Sequence, residues 1–257
     1  MVSSSSARAA RERAKQLRAE QERKERRGKI ARRSILGAGC VTIVGGAAGL
    51  VFYERSQNKE GGGANGKSTS AVDYTKLDET TLKSKLANRK GVPKLVLVDG
   101  SLPFGKGPVP GTMNTGTKNV IEVVFDYACS HCAEFESVHA AELKSIIDTG
   151  KATVVLRPCK ILGSPWSDLA DSFMGTVLDR EPAKAWAMHT AIFAQLESAI
   201  KSGAQQYPGI DAIVSAANAV GLKADTITDA TNSAQTNAYE NWTKLGTTSF
   251  TKQNLAG

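Results

Sequence analysis

Residues 123–136, VVFDYACSHCAEFE, place Cys129 and Cys132 two residues apart, directly after an apolar and β-branched run. Such a pair can be half of a zinc site, a structural disulfide or a redox centre. A zinc site needs about four ligands, commonly two such pairs. The other cysteines are Cys40, inside an uncharged stretch, and Cys159, in an expected strand, so only His131 or His139 with Cys159 could complete a set. A disulfide that closes a two-residue loop removes little chain entropy and stabilises little. The redox reading survives both objections. No metal and no cofactor is expected.

The surroundings specify how the pair is presented. VIEVVFDY (120–127) is rich in β-branched and aromatic residues and reads as a buried strand. After the cysteines, Phe135, Val138, Leu143, Ile146 and Ile147 recur at helical spacing, and Gly150 is placed to end that helix. KATVVLRPCKIL (151–162) is a second strand, so the three segments form a βαβ unit with a parallel pair. Cys129 then lies at the N-terminus of a helix, where unpaired N–H groups and the helix dipole favour thiolate over thiol. This makes Cys129 the nucleophile and Cys132 the resolving thiol. His131 between them can donate to the thiolate or place positive charge near it. Stabilising the reduced dithiol makes the disulfide a stronger oxidant.

Upstream, LDETTLKSKLANRKG (77–91) reads as a short helix and PKLVLVDG (93–100) as a strand, followed by a Gly- and Pro-rich loop, SLPFGKGPVPGTMNTGTKN (101–119). Downstream the character turns helical from Ser164 to about Asn241. Trp186, His189, Phe193, Leu196 and Ile200 define one buried face, and Ile210, Ile213, Val214, Ala217 and Val220 another.

Charge is concentrated at one end. Residues 1–34 hold 12 Lys/Arg against 4 Asp/Glu, a balance of +8 that equals the net charge of the 257-residue chain. The remainder is formally neutral, which argues against nucleic-acid binding. Ile35 to Tyr53 follow as 19 residues without a charge, close to the roughly 20 that cross a bilayer as a helix. Positive charge before them predicts a cytoplasmic N-terminus and an extracytoplasmic bulk, hence a single-pass protein of the cell membrane, the alternative being a cleavable signal peptide, for which a 34-residue charged lead is long. Residues 54–71 read as a flexible Gly- and Ser-rich linker, and 72–257 as the folded domain.

VIEVVFDYACSHCAEFE, VVLRPCKILG and the helical stretch containing AWAMHTAIFAQ together resemble the thioredoxin-like disulfide oxidoreductases of the DsbA type, particularly the membrane-anchored actinobacterial forms. The resemblance covers roughly residues 90–246. It implies an α/β, thioredoxin-like fold with an inserted helical subdomain at about 164–241, preceded by one transmembrane helix. It also implies reduced or misoxidised secreted proteins as clients, attacking a Cys129–Cys132 disulfide, and a redox partner that resets the pair. Rival readings are a reductase or isomerase of the same fold, and a redox-inactive peptide-binding module. The C-terminal end departs from the family: Phe250 and Thr251 stand where a Thr-Pro dipeptide with a cis proline is expected, so the domain reads as truncated or diverged there.

Four further residues have plain structural readings. Cys159 is expected as a small core residue, His189 as a hydrogen-bonded core histidine, His139 as a helix-surface or boundary residue, and Trp166 as the start of a helix. Either Asp126 or Glu122 could be a buried carboxylate near Cys132, and strand alternation does not decide between them.

Overall fold

A computed structural model describes residues 72–114 and 117–252. The basic arm, the apolar run of 35–53 and the linker lie outside the described residues. No helix among the described residues is long and apolar enough to cross a membrane.

The sheet is built from β1 (Leu102–Phe104), β2 (Val120–Phe125) and β3 (Thr153–Pro158) in the order β1-β3-β2. β2 and β3 are parallel from Val120↔Thr153 to Phe125↔Pro158. Between them runs α2 (Ser130–Thr149), which completes the βαβ unit and ends at Gly150 with φ 69°, a left-handed cap that glycine adopts without steric cost. All six residues of β3 are buried. β1 pairs antiparallel to β3 at the sheet edge, where Pro103 needs no ladder donor.

Two local expectations fail for physical reasons. PKLVLVDG is not a strand. Val96 N–H donates to the Pro93 carbonyl and Gly100 N–H to that of Leu97, so the segment is folded into turns, with only a Leu86↔Leu97 bridge. Its consecutive Val96 and Leu97 are fully buried in two different clusters, which a turn allows and a one-sided strand does not. The strand comes just after it, as Leu102–Phe104, inside the stretch expected to be loop.

Helices cover the rest. α1 (Glu79–Ser84) opens with a capping box between Asp78 and Thr81. After β3 come α3 (Pro165–Arg180), α4 (Ala185–Lys201), α5 (Ile210–Val220), α6 (Ala224–Gln235) and α7 (Glu240–Lys252), so the helical block runs past the expected end near 241. Trp186, His189, Phe193 and Leu196 are buried as expected, whereas Ile200 is exposed. In α2 the buried stripe is Ala133, Glu136, Leu143 and Ile147, and Val138 is 66% exposed on the other side. The position expected for an apolar residue is thus held by a glutamate.

α7 lies directly on the end of β3. Gly246 backs onto the Pro158 carbonyl and onto Gly100, and a Cβ there would collide with that carbonyl. Phe250 is buried against Val124 and Cys159, and both it and Thr251 are helical. No cis peptide bond occurs among the described residues.

Candidate active site

The chain leaves β2 through Asp126, Tyr127 and Ala128 and enters α2 at Cys129. Asp126 builds this corner. Its buried carboxylate accepts from Ala128 N–H at 2.9 Å, from Ile161 and Leu162 N–H at 3.0 Å each, and from the Ser167 hydroxyl. The loop after β3 and the start of α3 are thereby pinned to the entry of the cysteine motif. Glu122, the other candidate carboxylate, points away from this corner and pairs with Arg157.

Cys129 caps α2, with φ −83° and ψ 117°, and its sulfur accepts from Cys132 N–H at 3.4 Å. The two thiols are free and their acidities are driven apart. Cys129 is lowered to about 6, first by the Cys132 thiol that donates to it, then by the N–H groups of Cys132 and His131 and by the charge of His131, against the opposing effect of burial. Cys132 is raised, because it keeps its proton for that bond and is itself desolvated. The first proton to leave the pair therefore leaves Cys129.

A family model for thioredoxin matches residues 108–255. The chain belongs to the thioredoxin family. Among solved structures, this thioredoxin-family protein is similar to MdbA, a thiol-disulfide oxidoreductase from Actinomyces oris, at 34% identity and a TM-score of 0.61 over 66% of this chain and 81% of that one. Lower similarity extends to MdbA from Corynebacterium matruchotii (14% identity, TM-score 0.48, 67% of this chain and 81% of that one). It extends also to BdbD from Bacillus subtilis (18%, 0.48, 65% and 82%). Among curated proteins none matches. The protein is a thiol–disulfide oxidoreductase with the thioredoxin-like fold.

The remaining candidates of this thioredoxin-family chain fall into place around the pair. His131 is half-exposed, with Nδ1 3.7 Å from Glu134, so its charge is shared between a carboxylate and the thiol. Cys129 itself is only 3% exposed, while Ser130 is exposed and Cys132 intermediate. Cys159 lies one residue past β3, not within it, and is buried against Val124 and Phe250 with its N–H donating to the Phe125 carbonyl. Trp166 begins α3 and is buried, its indole N–H donating to the Tyr127 carbonyl at 2.9 Å. His139 lies midway along α2, half-buried at its surface, with its ring centroid 4.8 Å from that of Phe135. Among the described residues no group of three or more His, Cys, Asp or Glu is placed to hold a metal ion.

Sequence reasoning missed three buried polar residues here. Glu136, one turn beyond Cys132, is 2% exposed and faces His189. Tyr127, two residues before Cys129, bonds to the same histidine at 2.9 Å. Asp171 on α3 accepts from the Thr243 hydroxyl at 2.9 Å, and burial pushes its carboxyl well above the usual range. The one legible signal was the glutamate at a stripe position of an otherwise apolar helix face.

Proposed function

We propose that the protein introduces disulfides into secreted polypeptides, acting on the outer side of the membrane from an anchor formed by residues 35–53. The observation that carries the redox assignment is the split between the two thiols, Cys129 held near 6 and Cys132 raised. A client thiolate attacks Cys129 of the oxidised pair. The Cys129–Cys132 bond breaks, Cys132 leaves with the electron pair and takes up a proton, and a client–Cys129 mixed disulfide forms. A second client thiolate then attacks the client sulfur of that bond and releases Cys129 as a thiolate. The client loses two electrons and the enzyme is left as a dithiol, which a separate oxidising partner must reset.

Stabilising the leaving Cys129 thiolate favours this direction, since whatever stabilises the reduced enzyme makes its disulfide a stronger oxidant. Exposed apolar side chains beside the motif suit an extended polypeptide: Ile161 and Leu162 on the loop that Asp126 pins, and Tyr207, whose hydroxyl donates to the Ala128 carbonyl. The uncharged run and the cationic arm before it support the membrane placement.

The test is to equilibrate the full chain, solubilised in mild detergent, in a series of glutathione buffers and to read the Cys129–Cys132 disulfide by alkylation and mass. A midpoint toward about −120 mV fits a disulfide donor, and one toward about −270 mV assigns the chain to reduction instead. A pair that never forms the disulfide ends the redox reading.

A further inference from the structure

Three buried polar side chains form a line that ends one turn after Cys132. Tyr127 comes from the β2 exit, His189 from the second turn of α4, and Glu136 from α2 on the turn after Cys132. The Tyr127 hydroxyl meets His189 Nδ1 at 2.9 Å, and His189 Nε2 stands 3.6 Å from Glu136 Oε1, an ion-pair approach longer than a hydrogen bond. Thr190, next on α4, donates its hydroxyl to the same carboxylate oxygen at 3.2 Å. The imidazole is 1% exposed and boxed by the rings of Phe125, Tyr127, Trp186 and Phe193. Nε2 is buried without a hydrogen-bond partner and has the Glu136 carboxylate as its nearest charged neighbour, which favours a hydrogen on Nε2. In that tautomer the Tyr127 hydroxyl donates to Nδ1, and the bond reverses direction if the ring is charged.

A buried carboxylate one turn from Cys132 opposes any thiolate at the pair unless its charge is balanced. We propose that His189 is a positioning residue for the redox centre, holding the Glu136 carboxylate and offsetting its charge so that the Cys129 thiolate forms against a neutral pair. The inference rests on Cys129 being the nucleophile. Burial is the largest influence on the Glu136 carboxyl and would raise it, but the charge and close approach of His189, with the Thr190 hydroxyl and the charge of His139, together leave Glu136 below its ordinary value. The other titratable groups facing the line are His139 on α2, which acts on Glu136, and Asp171 on α3, which acts on Tyr127. His189 is the member contributed by the helical block, so the block is electrically coupled to the thiols and not merely packed on them.

The experiment is site-resolved alkylation of the full reduced chain by iodoacetamide between pH 4 and 10, with Cys129 followed by peptide mass. Wild type gives the reference midpoint. His189→Gln, which keeps a donor toward Glu136 but removes the cation, raises the midpoint by about half a unit, roughly threefold in thiolate at fixed pH. Glu136→Gln, nearly isosteric, lowers it. The double variant returns to within about twofold of wild type. Loss of packing alone would move both single variants in the same direction, and that result, or no movement, overturns the proposal. Should His189→Gln fail to fold, Glu136→Gln decides by itself, because an unchanged or raised midpoint there overturns the proposal equally. A wild-type Cys129 that titrates like an ordinary thiol would instead remove the nucleophile assignment beneath it.

Discussion

The two faces of the sheet each bury a polar cluster, and the clusters are built for different ends. On the face toward α4, Tyr127, His189 and Glu136 sit beside the thiols. On the opposite face, Arg157 of β3, fully buried, holds Asp99 at 3.1 Å, bonds to the Tyr74 hydroxyl at 2.8 Å and pairs with Glu122. Tyr74 in turn donates to Asp99 at 2.8 Å. Burial raises the Glu122 carboxyl even against the pull of Arg157, whereas the Glu136 carboxyl is held low despite its burial. The Arg157 cluster fastens the segment before β1 to the sheet, with two guanidinium nitrogens, Nε and Nη1, finding no hydrogen-bond partner. The Glu136 cluster borders a pair of thiols whose acidities are driven apart. Burial of polar groups thus says little about purpose until one asks what reactive atom lies next to them.

The sharpest separation of the faces is by activity. Cys129→Ser removes all disulfide exchange, read with a reduced model client, and leaves the Arg157 cluster and the fold in place by circular dichroism. Arg157→Met does the reverse. It strands Asp99 and Glu122 without their cation and lowers stability by roughly 3–5 kcal/mol in urea denaturation, while the Cys129 alkylation midpoint stays put. A moved midpoint would show the two faces to be coupled. Tyr127→Phe, on the thiol side, deletes one buried hydrogen bond and costs about 1 kcal/mol.

The next effect is set by pH. The Cys129 pKa is depressed from an ordinary 9.0 to about 6, so the thiolate stabilises the folded, reduced protein. That contribution is complete above the ordinary thiol value and is lost as pH falls through about 6. The stability advantage of reduced wild type over reduced Cys129→Ser should therefore be present at pH 9 and gone by pH 5 in parallel urea titrations. His131→Leu should give the smallest change, a slight rise in the Cys129 midpoint. The His131 charge ranks behind the bonds from Cys132 and is shared with Glu134.

β2, α2 and β3 were legible because each is announced locally: β-branched runs for the strands, a cysteine at the cap and Gly150 at the stop. β1 was not, since three residues containing a proline, amid glycines, carry no periodicity. His189 was readable as a core histidine from its place on an apolar stripe. Its partners were not, because Tyr127 and Glu136 lie 62 and 53 residues away and only the packing of α4 against the β2 exit and α2 brings them together. Asp126 and Glu122 could not be told apart in sequence. The structure separates them by pairing one with backbone N–H groups of a loop and the other with Arg157.

The Tyr74 hydroxyl also decides how the domain would bear a load. It is bonded to Arg157 in the middle strand of the three, not to the edge strand nearest in sequence. A pull arriving along the chain from before residue 72 reaches β3 through this phenol before it reaches β1. β3 is hydrogen-bonded on both sides, so a displacement of this phenol acts on both ladders at once and not on an edge strand alone.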